Sequence, residues 1–250
     1  MGSPPAIAVL REKIRRIEAG NRHAAAVLPF GLPAIDARLP GGGLALGALH
    51  EVAGGGNGAI DGAAAAMFAA GIAARSKGPV LWCMIRQDLF APALAQAGLA
   101  PDRVVYAEAE DEKAVLACCE EGLRHGGLGS VVAEIGRLSM TNSRRLQLAA
   151  ESSGTLGIAL RRWRRQSDAA DFGQPTAAAT RWRVTVLPSA PWPVPGVGRP
   201  RWLVELIRCR AGESADFEVE ACDAQGRLGL PAGLANRQAF AAAGRSRAAW

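Results

Sequence analysis

The chain has 250 residues, 49% hydrophobic and 21% charged, which excludes a mainly disordered state and is enough for one domain with a full core. No window reaches ~18 consecutive apolar residues, which excludes a membrane-spanning helix. The net charge is +6, carried by 26 arginines and 3 lysines beside 51 alanines, a bias that a GC-rich genome produces without any functional demand.

Met1-Gly2-Ser3-Pro4-Pro5 has no basic-then-apolar leader pattern, which predicts a cytoplasmic protein. Residues 6–19 follow, with Ile7, Leu10, Ile14 and Ile17 spaced by three and four. That spacing predicts a short amphipathic helix with a basic face. Its apolar stripe packs either on a partner or on the chain's own core. From Asn21 to Gly47 the chain reads as loop, broken by Pro29, Pro33, Pro40 and Gly41-Gly42-Gly43.

A regular alternation comes next. Strands are predicted at Ala48–Ala53, Pro79–Ile85, Arg103–Glu108, Ser130–Ile135 and Thr155–Leu160. Helices are predicted between them at Ala59–Ser76, Asp88–Ala97 with Asp88 as cap, Asp111–Leu123 and Ser139–Glu151. Apolar strands separated by helices imply an α/β fold, a mostly parallel twisted sheet with helices on both faces. Beyond Leu160, Arg181–Leu187, Arg201–Arg210 and Phe217–Cys222 are strand-like without helices between them, which predicts an antiparallel edge. The tail from Asp223 to Trp250 is rich in Gly and Ala. The chain thus divides into an N-terminal helix and linker (1–28), a core domain (29–222) and a flexible C-terminal tail (223–250).

Cys83, Cys118, Cys119, Cys209 and Cys222 form no CxxC pair, and His23, His50 and His125 are scattered. Reduced core thiols and no metal site are the expectation.

One turn has the form of a phosphate cradle: a strand, then Gly54-Gly55-Gly56-Asn57-Gly58, then a helix opening Ala59-Ile60-Asp61. In such a loop the amides and the helix N-terminus point at the anion, and glycine allows its close approach. The phosphate-loop pattern requires lysine and then serine or threonine after the last glycine. Ala59 and Ile60 stand at those places, and Lys77 lies at the far end of the helix. Without the cation on the phosphates and the hydroxyl on magnesium, no ATP or magnesium is expected as cofactor and no catalytic residue is assigned. A structural strand-to-helix turn is the favoured reading. A weak or unusual ATPase is the alternative.

The positive excess is concentrated. Residues 144–210 carry 12 arginines against four acids, while the remainder is slightly acidic. Within that stretch Arg161-Arg162-Trp163-Arg164-Arg165 follows a strand and Arg181-Trp182-Arg183 begins another. Guanidinium groups interleaved with indoles suit single-stranded DNA, the arginines on phosphate and the rings on bases. Two other readings stay open: Trp163 and Trp182 cap the core under a solvated rim, or the arginines meet an acidic protein surface.

Phe30-Gly31-Leu32, Ile35-Asp36, Leu39-Pro40-Gly41-Gly42-Gly43-Leu44, Gly47 and Glu51-Val52-Ala53-Gly54 form an ordered series. It resembles the approach of the RecA core to its phosphate loop. With Leu81-Trp82-Cys83, Thr155 to Arg162 and Arg201-Trp202-Leu203-Val204-Glu205-Leu206, the chain is similar over roughly residues 6–230 to the ImuA family. These are RecA-like accessory proteins of a bacterial mutagenesis cassette. The resemblance implies a RecA-like fold with a degenerate nucleotide site. Arg86 falls at about the place of the catalytic glutamate, and Glu134 stands where an acid would order magnesium. It further implies a non-catalytic adaptor in SOS-induced error-prone translesion DNA synthesis and DNA repair. The implied partners are ImuB, RecA and an error-prone polymerase alpha subunit. A cell-division inhibitor resembling SulA shares a reduced core of this kind and is the other alternative.

Overall fold

The computed structural model describes residues 26–56, 58–163, 166–189 and 198–231. The predicted N-terminal helix, with Ile7, Leu10, Ile14 and Ile17, lies outside them. The described chain opens with a small antiparallel pair, β1 (Val27–Leu28) and β2 (Leu44–Ala45), enclosing the short helix α1 (Pro33–Asp36). The sequence reads this stretch only as loop, because two-residue strands carry no periodicity.

The main sheet has eight strands: β3 (Leu49–Gly54), β4 (Val80–Met84), β5 (Val104–Glu108), β6 (Ser130–Ile135), β7 (Leu156–Arg161), β8 (Thr180–Leu187), β9 (Arg201–Cys209) and β10 (Ala215–Glu220). Their order across the sheet is β10-β9-β8-β3-β7-β6-β4-β5. β3 is parallel to both β7 and β8, and β6 is parallel to both β7 and β4. Only β9 runs against its neighbours β8 and β10. The expected antiparallel edge is therefore β9 and β10. β8, predicted as part of that edge, instead sits beside β3 in the parallel body, because the long segment before it lets the chain cross over.

Four further helices cover the sheet: α2 (Gly58–Arg75), α3 (Ala91–Gln96), α4 (Glu112–His125) and α5 (Met140–Ser153). Alternate residues of the strands feed two cores, as a two-residue side-chain period demands. Trp82 and Met84 of β4 point to the α2 side, while Cys83 between them joins the α4–α5 side. Alanine-rich α2 brings its backbone close to the sheet, burying Ala64, Ala65, Phe68, Ala69 and Ile72 against β3 and β8. Trp182 is fully buried there, with its ring centroid 5.4 Å from Phe30 and 5.9 Å from Phe68. On the opposite face α4 and α5 pack together and seal Val115, Leu123, Val131, Leu146 and Ala159.

The two long helices on that face start where the sequence says. The Asp111 side chain accepts from the Ala114 amide and the Ser139 hydroxyl from the Asn142 amide, each meeting one of the donors a helix start leaves unpaired. The helix predicted over Asp88–Ala97 is shorter than expected. It begins after Phe90, with proline in its first turn and no side-chain cap, so Asp88 is free of the capping role assigned to it. The core also runs past Cys222. Leu228 is buried, Leu230 packs against it, and Gly229 pairs with Glu220, so residues 223–231 belong to the folded body and not to a flexible tail. No helix among the described residues is long and apolar enough to cross a membrane. All five cysteines are unpaired, with Cys83, Cys119, Cys209 and Cys222 buried and Cys118 exposed.

Candidate functional site

In parallel sheets of this kind, ligands bind beyond the carboxyl ends of the strands. Three constructions stand at that edge: the glycine loop after β3, a charged cleft beyond β4 and β6, and a buried ion network beneath the segment joining β7 to β8.

The glycine loop is drawn tight against its own helix. A Cβ on Gly54 would lie 2.7 Å from the backbone carbon of Asp61. One on Gly55 would lie 2.2 Å from the Thr185 hydroxyl and 2.7 Å from Asp61 Oδ2. Glycine is required at both places by this close approach. Asp61 is fully buried, and its Oδ1 accepts the Val186 amide at 2.9 Å, tying the first turn of α2 to β8. The positive end of the α2 dipole is thus met by a carboxylate of the chain itself. Gly58, Ala59 and Ile60 open α2, with Ile60 exposed; Asn57 lies outside the described residues. A magnesium triphosphate needs a cation and a hydroxyl here. The residues present supply an alanine, an isoleucine and a buried acid, and they do not fit it.

The cleft beyond β4 and β6 measures about 270 Å³ and is lined by Arg86, Asp88, Glu112, Glu134, Arg162 and Trp163, among others. Glu134 forms its floor. It is buried, accepts the Trp82 indole N–H at 2.7 Å and receives Arg162 Nη1 at 2.7 Å. Burial pushes its carboxyl up from the ordinary value, against the pull of the Arg162 charge. The same Nη1 lies 2.6 Å from Asp88 Oδ1, so one guanidinium nitrogen bridges two carboxylates. The acid that the family pattern assigns to magnesium is occupied by an arginine from the neighbouring strand end. Glu112 accepts the Gly136 amide at 2.6 Å and fixes the far wall.

The third construction relocates the basic segment. Arg161 and Arg181 do not face solvent: both are buried and converge on Glu51, itself fully buried in the middle of β3. Arg161 Nη1 donates to Glu51 Oε1 at 2.5 Å, and Arg181 Nε and the Thr176 hydroxyl donate to Oε2, each at 2.9 Å. Asp171 adds a second carboxylate on Arg161, and the Phe172 ring lies 5.0 Å from the Arg181 guanidinium carbon. Arg181 also donates to the carbonyls of Phe172 and Gln174, at 2.6 and 2.7 Å. The two arginines act as internal clamps that hold the segment after β7 down on the sheet. Both are excluded as phosphate contacts, because a buried ion pair is not given up for a solvent-exposed one without leaving charge uncompensated.

Trp182 is likewise corrected, from a base-stacking residue to a core one; its indole N–H donates to the Thr180 hydroxyl. Arg183 lies on the outer face of β8, in a two-point pair with Glu205 at 2.7 and 2.6 Å. Trp163 is half-buried at the cleft mouth, donating to the Gly136 carbonyl at 3.1 Å with its ring edge-on to Phe172. Arg164 and Arg165 lie outside the described residues. Of the predicted basic set, the structure brings Arg162 and Trp163 together at the cleft and joins Arg86 to them. Glu51 and Asp171 are residues to which the sequence reading gave no role at this edge, whereas Asp61 was set there at the opening of the helix after the glycine loop.

No family model matches the chain. Two curated relatives, each named Protein ImuA and found in two strains of Caulobacter vibrioides (NA1000 / CB15N, and ATCC 19089 / CIP 103742 / CB 15), are 41% identical over 218 residues. The match covers 83% of this chain and 88% of theirs. Among solved structures, the crystal structure of the RadB recombinase aligns with a TM-score of 0.56 at 17% identity, covering 82% of this chain and 99% of that one. At that identity the likeness speaks for the fold, which is RecA-like.

Proposed function

The chain belongs to the ImuA family, and from that premise we propose that it is a non-catalytic RecA-like adaptor in SOS-induced, error-prone translesion DNA synthesis. Its partners in this reading are ImuB, RecA and the error-prone polymerase alpha subunit, with single-stranded DNA at the cleft beyond β4 and β6. The observation that carries the non-catalytic part is the tight glycine loop. Asp61 and Thr185 crowd the place a triphosphate would need, and Glu134, the acid that the resemblance assigns to magnesium, is bonded to Arg162. A site with carboxylates at both ends repels the ligand it would have to polarise.

The DNA part rests on Arg86, Arg162 and Trp163 at the strand carboxyl ends, with Arg164 and Arg165 next in the chain. Arginine beside an indole is the pairing that tracks phosphate and stacks a base, each stacked base being worth ~1–3 kcal/mol.

The test joins three measurements on the full chain. Calorimetry with ATP and magnesium should give no saturable heat. Pull-down should retain ImuB and RecA from purified preparations, and loss of both would remove the adaptor role. Saturable ATP turnover that falls on Glu134→Ala would instead establish an enzyme.

A further inference from the structure

The cleft beyond β4 and β6 holds its arginines in unequal ways. The Arg86 side chain is exposed and makes no ion pair or hydrogen bond with the described residues. Arg162 is held by two carboxylates that differ in almost every respect. Glu134 belongs to a central strand, is 8% exposed and is fixed by the Trp82 indole. Asp88 belongs to the irregular segment between β4 and α3, and its side chain is 59% exposed with no partner other than Arg162 among the described residues.

Arg162 spends one nitrogen, Nη1, on both acids, while Nη2 reaches Asp88 only at 3.4 Å. A guanidinium carries five donors in a planar fork. Nη1 uses both of its hydrogens and Nη2 one of its two, so two of the five donors, on Nε and Nη2, have no partner among the described residues, in a cleft that Trp163 and Arg86 also line. An exposed carboxylate at 2.6 Å and a phosphate ask for the same donor with the same charge, and either can take two guanidinium donors at once.

Resting on the DNA reading above, we propose that Asp88 is a releasable stopper on Arg162, occupying the guanidinium until a phosphate of single-stranded DNA displaces it beside Arg86 and Trp163. Glu134 stays in place throughout and keeps Arg162 aimed at the cleft. The device makes the basic cleft selective for polyanions. A lone carboxylate on another protein gains nothing over Asp88, whereas a nucleic-acid backbone brings a second phosphate to Arg86. The exposed pair is weak enough to release, since exposed ion pairs are worth a factor of about two to five in an equilibrium constant.

Fluorescence anisotropy of a labelled oligothymidylate, titrated with the full chain over a range of salt, tests this. Asp88→Asn keeps the shape and removes the charge, and should tighten binding about two- to fivefold at low salt. The gain should vanish in an Arg162→Gln background, where there is no guanidinium to release. Arg86→Gln should weaken binding and lower the slope of log affinity against log salt by about 0.7. Wild-type binding with Asp88→Asn unchanged overturns the stopper and leaves the DNA reading standing. No binding by any of the chains at the lowest salt overturns both. Tighter capture of ImuB by Asp88→Asn, with oligonucleotide affinity unchanged, overturns it in favour of a protein-facing cleft.

Discussion

Replacing Glu51 with alanine should lower the stability of the folded chain by about 3–5 kcal/mol, the range for breaking a buried ion pair by removing one partner. Two guanidiniums, Arg161 and Arg181, share this carboxylate, and all three side chains are buried. Arginine cannot relieve the loss by giving up a proton. The remaining anion, Asp171, reaches only Arg161. The segment between β7 and β8 then has to lift to let water reach Arg181, which undoes the bonds to Phe172, Gln174 and Thr176 as well. Urea unfolding followed by tryptophan fluorescence should show a midpoint far below the wild type. A change within about 0.5 kcal/mol, the scale of ordinary surface substitutions, would show that the network carries no weight.

Acid should weaken the protein through His50. The imidazole is fully buried, with Nδ1 2.7 Å from the Thr180 hydroxyl and Nε2 2.9 Å from the Ala45 carbonyl. The carbonyl can only accept, so Nε2 carries the hydrogen and Nδ1 accepts from the threonine. Burial pushes the ring down to about 4 from its ordinary 6.5, despite the Ala45 carbonyl, which favours the charged form. Between those two values the unfolded chain takes a proton that the folded chain refuses. The His50 contribution is therefore complete above pH 6.5 and is lost as pH falls toward about 4. At ~1.4 kcal/mol per unit, the loss is about 3 kcal/mol. Unfolding free energies measured from pH 7 to pH 4 should fall by that amount, and the slope should be absent in His50→Gln. Parallel profiles for the two chains would refute the assignment.

How much of this was legible in the sequence differs by kind of feature. β6 and the starts of α4 and α5 could be read from short-range chemistry: an apolar run, and an aspartate or serine before a helix. The glycine loop could be read as degenerate from the residues at 59 and 60. The fate of the arginines could not. Arg161 and Arg162 are neighbours with the same side chain, yet the strand pleat sends one into the core and leaves the other at the cleft. What decides it is a carboxylate 110 residues earlier in the chain. One signal was available: Glu51 lies inside Leu49–Gly54, a strand with apolar residues on either side of His50 and Glu51. A buried acid in such a strand demands buried cations, and Arg161 and Arg181 are what answered it. Asp88 was misread for a related reason. Before a helical stretch an aspartate suggests a cap, but its partner Arg162 lies 74 residues away, beyond any local pattern.

The placement of the thiols has a practical consequence. Burial pushes Cys83 and Cys222 up to about 12 and raises Cys119 and Cys209 as well, so none of the four offers appreciable thiolate at neutral pH. Cys118, alone on the solvent side of α4, remains reachable. A maleimide dye added to the native chain should attach once, at Cys118. That gives a fluorescent reporter on the face opposite α2 without any engineered substitution, ready for following assembly with partner proteins in solution.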